Sequence, residues 1–291
     1  MDWRALVFMS DQKPIGGLVN FQGAPETLQF VCSLFNDNFP GHSPEFVVAV
    51  FNKVCELFAG RFPGYQACDT KFHDLAHTCQ ATIATLRILD GQIKSGRPPA
   101  ITARDFELAV AAILLHDTGY IKQVGDVEGT GAKYTLIHVK RSAEFAATFL
   151  PPLGVTADEV RLVRLAINCT GIEVDTSTLE FRDQHERFLG CALGAGDMLG
   201  QMAADDYPQR LPALYREFVE AGITTYKSAT DLMHQTRTFY KGRVKQLLDV
   251  EWGRVHQVLQ YHFGNGRNLY LEAVDHNLDR IDYLADKSPE G

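Results

Sequence analysis

Apolar residues recur every three or four positions through most of the chain, which is the period of a helix with one buried face. The period-two alternation typical of strands is almost absent, and a hairpin near residues 5–22 is the one candidate. The pattern therefore predicts an all-α fold. About ten helices are expected, with merging or splitting of neighbours, over residues 25–37, 43–59, 70–93, 103–117, 136–150, 157–168, 183–204, 208–222, 229–248, 250–262 and 266–286.

Capping residues mark where several of these helices begin. Ser43-Pro44 predicts one start, with Pro44 at the first helical position. Pro98-Pro99 and Pro151-Pro152 predict interruptions, because proline cannot continue a helix. Three further starts have a hydroxyl followed three positions later by a carboxylate, the spacing of a capping box: Thr102 with Asp105, Thr156 with Glu159, and Ser228 with Asp231.

No feature divides the chain into independent parts. It contains neither a flexible linker nor a repeat of about 30 to 45 residues, so residues 1–291 are expected to form a single domain. The last predicted helix has an apolar stripe at helical spacing, formed by Leu271, Val274, Leu278, Ile281 and Ala285. This stripe either docks on the body of the protein or forms the interface of a homodimer.

Composition and charge limit the classes of partner. The formal net charge of −8 argues against a nucleic acid polymer or an anionic membrane as the main partner, since both require a basic surface. We find no signal peptide and no apolar run of about 20 residues, so a cytoplasmic location is expected. The six cysteines include no CxxC pair, which favours reduced thiols over disulfides or a thiolate zinc site.

Two segments that are otherwise apolar contain ionisable residues. The run from Ala109 to Leu115 leads directly into His116-Asp117, and Asp197 is the only charged residue in the seventeen from Phe188 to Ala204. Glycines at four-residue spacing in this second segment should let a neighbouring helix approach closely. An unpaired buried carboxylate costs several kcal/mol, so two such carboxylates require compensation. A bound cation would supply it.

Histidines at helical spacing offer further ligands. His73 and His77 are four residues apart in a predicted helix and should share one face of it. Each histidine alone is more simply a hydrogen-bonded core residue. Together with His116, Asp117 and Asp197, they favour a metal site. Imidazole nitrogen and carboxylate oxygen without thiolate suit Mn, Fe, Co, Ni, Zn or Mg.

These residues resemble a known signature. His77, His116-Asp117 and Asp197 appear in the order H…HD…D, which is similar to the HD-domain superfamily of metal-dependent phosphohydrolases. The resemblance covers residues from about 70 to 205 and implies an HD-type, phosphodiesterase-like helical bundle with that metal-binding core, on which the helices of about 206–291 pack. It also implies that all four residues are metal ligands.

The segment KFHDLAHT resembles the opening of the cyclic nucleotide phosphodiesterases, which implies that His77 binds metal and His73 protonates the leaving oxygen. Asp74 and Phe72 depart from that pattern, and HDTGYIKQV lacks the histidine and asparagine that follow its HD pair. A cyclic nucleotide substrate is therefore not implied.

Dinuclear members of the superfamily have two more histidines between HD and the final aspartate. His138 fits the first of these, and Asn168 stands near where the second is expected. The resemblance therefore implies either one ion or a second, weaker ion held by Asp117 and His138. An ordinary histidine at a helix start is the alternative reading of His138.

A small anionic phosphoester, either a nucleotide or a phosphodiester, is the expected substrate. A bound divalent ion would lower the pKa of a water ligand and offset the negative charge of the phosphoryl group. If Asp117 bridges two ions, it would also orient the nucleophile. His73 would act as the general acid. The candidate substrate-binding residues are Lys122, Lys140, Arg141 and Asn168. For the two lysines and the arginine, a position on a solvated helix face is an equally good explanation. The glycine-rich stretch 124–134 is either a mobile loop over the pocket or a plain surface loop.

Three functions remain open at this point. The first is a metal-dependent phosphohydrolase, either a phosphodiesterase or a phosphatase. The second is a di-iron oxygenase on the same scaffold, against which Asn168 counts because such enzymes have a complete set of six ligands. The third is a nucleotide sensor that keeps the metal but has lost turnover.

Overall fold

The computed structural model of the chain describes residues 23–287. Within this range the protein is all-α, as predicted, and its only β-type pairings are two isolated bridges, Ala59 with Ala67 and Tyr65 with Gln123. The hairpin predicted near residues 5–22 lies outside the described residues. The helices are α1 (Ala24–Asn38), α2 (Glu45–Phe58), α3 (Leu75–Ser95), α4 (Ala103–Leu115), α5 (His138–Phe149), α6 (Ala157–Asn168), α7 (Gln184–Met202), α8 (Tyr207–Glu220), α9 (Ala229–Phe239), α10 (Leu259–Phe263) and α11 (Leu269–Lys287).

Most helix boundaries follow the predicted capping residues. Thr102 and Thr156 form complete capping boxes. Ser228 forms half of one, because the Asp231 carboxylate accepts a hydrogen bond from Lys227 N instead. The prediction for Ser43-Pro44 was wrong by one residue, since Pro44 is the N-cap and α2 begins at Glu45.

The predicted helices after residue 239 differ from those observed. The segment predicted as 229–248 leaves α-helical geometry after Phe239 and continues as two π-helical turns, with Gly242 in the first of them. The segment predicted as 250–262 is a 3₁₀ turn followed by the short α10. Gly253 and Arg254 both have left-handed backbone angles, with φ of 59° and 62°, which prevents one continuous helix.

Helices α3 and α7 cross at the centre of the protein through small residues. A Cβ atom on Gly196 would lie 2.0 Å from Thr85 Oγ1 and 2.7 Å from Thr85 N, and one on Gly200 would lie 2.8 Å from Gln80 O. The close approach predicted from the glycine spacing is therefore confirmed. Helix α4 contacts both α3 and α7, and all its residues from Leu108 to Leu115 are buried.

The C-terminal helices pack on this centre. Helix α11 contacts α7, α8 and α9, and the predicted stripe residues Val274, Leu278, Ile281 and Ala285 are buried in those contacts. The docking alternative is therefore the one observed. No described helix combines the length and apolar character needed to cross a membrane. All six cysteines fall within residues 23–287 and none forms a disulfide.

A buried carboxylate connects α1, α3 and α10. Asp90 accepts hydrogen bonds from Asn38 at 2.9 Å and His262 at 2.5 Å, and Lys94 Nζ lies 2.8 Å away. These partners outweigh the effect of burial and lower the pKa of Asp90 below its usual value. The carboxyl group is thus harder to protonate in the folded protein than in the unfolded chain.

We expect Asp90→Asn to lower the free energy of unfolding at pH 7 by about 2 kcal/mol. Because the folded-state pKa is the lower one, the ionised group stabilises the fold above pH of about 4, and this contribution is lost as the pH falls below that value. Urea unfolding of both proteins between pH 7 and pH 3 measures the difference, which should shrink in acid. Asp37→Asn, at an exposed position of α1, is the control. A difference that does not depend on pH would contradict this reading.

Candidate metal centre

The apolar helix α4 places His116 and Asp117 inside the protein. His116 is the C-cap residue of α4, and both side chains are almost fully buried. The Nδ1 atom of His116 lies 2.6 Å from the Ile113 carbonyl oxygen, which can only accept a hydrogen bond. Nδ1 therefore donates, and Nε2 faces the interior with its lone pair available when the ring is neutral.

Helix α3 places His77 through its N-terminal cap. Asp74 accepts a hydrogen bond from His77 N at 2.9 Å and begins the helix, so the prediction of a helix from residue 70 was wrong. Aspartate caps helices because its carboxylate binds the free N–H groups of the first turn. The prediction that His73 and His77 share a helix face was wrong for the same reason, since His73 precedes the cap.

Asp197 completes the cluster from α7. Its Oδ1 atom lies 3.2 Å from His77 Nε2 and 3.4 Å from His116 Nε2. Asp117 Oδ2 lies 3.1 and 3.3 Å from the same two nitrogens, which are 3.3 Å from each other. The close contact of Gly196 with Thr85 is what lets α7 bring Asp197 this near to α3.

The three distances among His77 Nε2, His116 Nε2 and Asp117 Oδ2 fit the donor atoms of one cation. Donors bound at about 2.1 Å lie about 3.0 Å apart at a right angle and about 3.4 Å apart at the tetrahedral angle. Within residues 23–287, neither Asp117 Oδ2 nor Asp197 Oδ1 accepts a hydrogen bond, and His77 Nδ1 has no partner. Buried oxygens are rarely left unpaired. His77, His116 and Asp117 therefore form a group that could hold a metal ion, with Asp197 beside them.

The electrostatics of the cluster also favour a positive ion. Burial alone would lower the pKa of His77, but the Asp117 and Asp197 carboxylates outweigh it and raise this pKa to about 9. The same carboxylates raise the pKa of His116, and the imidazoles hold the pKa values of both aspartates below their usual range. A divalent cation would neutralise the two carboxylates while the imidazoles remain neutral ligands.

His138 lies on the far side of Asp117. A Cβ on Gly119 would be 2.0 Å from the His138 carbonyl oxygen, so this glycine lets the turn after Asp117 touch the start of α5. His138 Nδ1 lies 2.6 Å from the Thr135 carbonyl oxygen, and His138 Nε2 lies 3.6 Å from Asp117 Oδ1. Burial lowers the pKa of His138 to about 4, so its ring is neutral at pH 7 and presents an acceptor nitrogen to a carboxylate oxygen.

His73 is bound by a glutamate that the sequence did not reveal. Its Nδ1 atom lies 2.6 Å from Glu217 Oε2, and Glu217 is buried in α8. The buried ring of Tyr120 lies 4.4 Å from the rings of both His73 and His138, at interplanar angles of 11° and 23°. Glu217 follows His73 by 144 positions, so no local spacing in the sequence connects them.

The candidate substrate-binding residues lie in different surroundings. Lys122 is buried, with its Nζ 2.9 Å from Asp69 Oδ2 and donating to Gly129 O. Arg141 donates to two carbonyl oxygens, Gly119 O at 2.7 Å and Ile121 O at 3.2 Å. The charged groups of Lys122 and Arg141 are therefore both engaged by protein partners.

Among the described residues, the side chains of the other two candidates form no hydrogen bond or ion pair with the four proposed ligands. Lys140 is 80% exposed and pairs with Glu144. Asn168 is half-buried at the end of α6, and within residues 23–287 no hydrogen bond joins its amide to the cluster. A cavity of about 520 Å³ lies elsewhere, between residues 240 and 275, and its lining includes none of the predicted site residues.

One protein family is similar to part of the chain. A family model described as Npun_R2479-like matches residues 126–261, which is less than half of the sequence. The matched segment contains His138, Asp197 and Glu217 but not His77, His116 or Asp117. No curated protein matches the chain.

Proposed function

We propose that the protein is a metal-dependent phosphohydrolase of the HD-domain type, acting on a small phosphoester such as a nucleotide or phosphodiester. The proposal rests on one observation above all. The donor atoms of His77, His116 and Asp117 lie 3.1–3.3 Å from one another, and Asp197 Oδ1 lies 3.2 and 3.4 Å from the two imidazole nitrogens. The two carboxylate oxygens have no hydrogen bond among the described residues. The order of these residues in the chain is the H…HD…D order.

In this proposal the four side chains hold a divalent cation. His138, with its acceptor nitrogen 3.6 Å from Asp117 Oδ1, would hold a second one together with Asp117. When bound, such a cation lowers the pKa of a water ligand and offsets negative charge on a phosphoryl oxygen. Burial excludes bulk water from all four side chains, which strengthens their interaction with any charge placed among them.

His73 would act as the general acid of the reaction. Its Nδ1 atom is engaged by Glu217, so Nε2 is the nitrogen left to carry a proton to the leaving oxygen. A carboxylate on one side of an imidazole fixes the ring's orientation and its tautomer. Glu217 therefore belongs with His73 as the residue that orients it, and Tyr120 limits the movement of the ring by contact with its face.

The test of this proposal is elemental analysis together with hydrolysis of a substrate panel. Purified protein should contain one or two equivalents of a divalent metal and should hydrolyse at least one class among phosphomonoesters, phosphodiesters and nucleotides. Complete chelation should remove the activity, and added Mn, Co or Zn should restore it. Activity that survives complete chelation would contradict the proposal. Tight nucleotide binding without product, across the whole panel, would favour a sensor.

A further inference from the structure

The segment from Lys71 to Asp74 is held by two charged side chains of α8. Glu217 Oε1 accepts hydrogen bonds from Lys71 N at 2.7 Å and Phe72 N at 2.6 Å, while its other oxygen binds His73. Arg210 binds the opposite side of the same peptides, donating to the Phe72 carbonyl oxygen and to the Lys71 carbonyl oxygen at 3.4 Å. Both the donors and the acceptors of this segment are thus bound from one helix.

Arg210 also connects this segment to the start of α3. Its guanidinium donates to Asp74 Oδ1 at 2.9 Å, the same oxygen that accepts from His77 N as the helix cap. The guanidinium carbon lies 5.4 Å from the centre of the Phe72 ring. Only 15% of the Arg210 side chain is exposed, so these contacts are made largely out of water.

Two features make this arrangement more than surface pairing. Arg210 and Glu217 are seven residues apart, which is close to two helical turns, so a single rigid element sets the distance between them. Each of these bonds has the charged group of Arg210 or Glu217 as one partner, and such bonds are stronger than neutral ones. All three hydrogen bonds of Arg210 are made by one guanidinium nitrogen, Nη2.

We propose that Arg210 is a positioning residue for His73. It fixes the carbonyl side of the 71–74 segment while Glu217 fixes the amide side, and together they orient the imidazole. Arg210 contacts neither the four metal ligands nor His138 through its side chain, so its loss should disturb His73 and leave the ion in place. The catalytic part of this inference rests on the proposed function, whereas the structural part does not.

The experiment compares Arg210→Met with Arg280→Met. Arg280 is the matched control, because it also binds a backbone carbonyl near the start of α8, Asp205 O at 2.8 Å, but does not touch residues 71–74. Hydrogen exchange measures the Lys71 and Phe72 amides, with the amide of Leu86 inside α3 as the internal reference. In Arg210→Met the two amides should exchange about 10- to 100-fold faster, while Arg280→Met and the reference stay unchanged.

Activity supplies the second readout. The kcat of Arg210→Met should fall about 10- to 100-fold on a phenyl phosphoester and clearly less on the 4-nitrophenyl ester, whose better leaving group needs less protonation. Metal content should equal that of the wild type, and KM should stay within about threefold. If Arg210→Met does not fold, Arg210→Lys replaces it, and the same readouts should move in the same direction by a smaller factor.

The outcomes separate this inference from the proposed function. Amide exchange that is unchanged in Arg210→Met, or equally fast in Arg280→Met, overturns the positioning role whether or not the protein is a hydrolase. Faster exchange at residues 71 and 72 in a protein that hydrolyses nothing supports the structural role and counts against the proposed function. If Arg210→Met loses the same factor in kcat on both esters, Arg210 does not act through protonation of the leaving group. That result overturns the catalytic part of the inference.

Discussion

Replacing His116 or Asp117 by alanine should remove both the metal and the phosphohydrolase activity that we propose for the protein. Each substitution removes one of the four donors, and Asp117→Ala also leaves His77 and His116 beside a single carboxylate. We expect activity to fall by at least about a thousandfold, which corresponds to about 4 kcal/mol of transition-state stabilisation. Metal content by elemental analysis and initial rates on the best substrate of the panel measure the two effects.

The matched control for this experiment is His276→Ala. His276 is an exposed histidine of α11, so its loss should change neither metal content nor rate. Circular dichroism of all variants checks that the helices remain. Full metal content in both His116→Ala and Asp117→Ala would show that these residues are not ligands, and the proposed site would have to be abandoned.

Gly196→Ala should destabilise the protein and weaken metal binding together. The added methyl would lie 2.0 Å from Thr85 Oγ1 and 2.6 Å from Thr85 Cα, which is too close for any rotamer change to relieve. Helices α3 and α7 must then separate, and Asp197, the next residue, moves with α7. We expect a loss of roughly 2–3 kcal/mol in the free energy of unfolding, with a fall of roughly 5–10 °C in Tm.

Gly242→Ala is the comparison for this substitution. Gly242 is also helical, but a Cβ there would meet no atom within 4 Å, so the change should be neutral or slightly stabilising. Thermal unfolding, and metal titration at a temperature where both variants are folded, measure the two properties. A Gly196→Ala protein as stable as Gly242→Ala would mean that the contact between α3 and α7 is looser than described.

Three of the four proposed ligands, His116, Asp117 and Asp197, could be predicted from the sequence because burial and charge conflict there. His77 was predicted from its spacing with His73 and from the resemblance to the H…HD…D order. Asp197 stands alone among apolar and small residues, and His116-Asp117 ends an apolar run, so each marks a polar group inside the core. The close contact between α3 and α7 could also be predicted from a local pattern, the four-residue spacing of the glycines in α7. An all-α fold followed from periodicity that is strong over most of the chain.

The remainder of the site depends on contacts between distant parts of the chain. Glu217 and Arg210 are ordinary charged residues of an amphipathic helix, and only the packing of α8 on residues 71–74 gives them a role. The start of α3 was misplaced because the helical pattern continues through residues 70–74, while the Asp74 cap ends it locally. Lys122 and Arg141 follow the ligands closely in sequence, but their partners are carbonyl oxygens and Asp69.

The ligands of the proposed ion come from three helices, and Asp197 follows His77 by 120 residues along the chain. Such an ion would have almost no affinity for the unfolded polypeptide, because its donors meet only after α3, α4 and α7 have assembled. By mass action, a higher concentration of free metal would then increase the fraction of the protein that is folded. Metal supply would thereby govern how long the protein lasts in the cell as well as how fast it works.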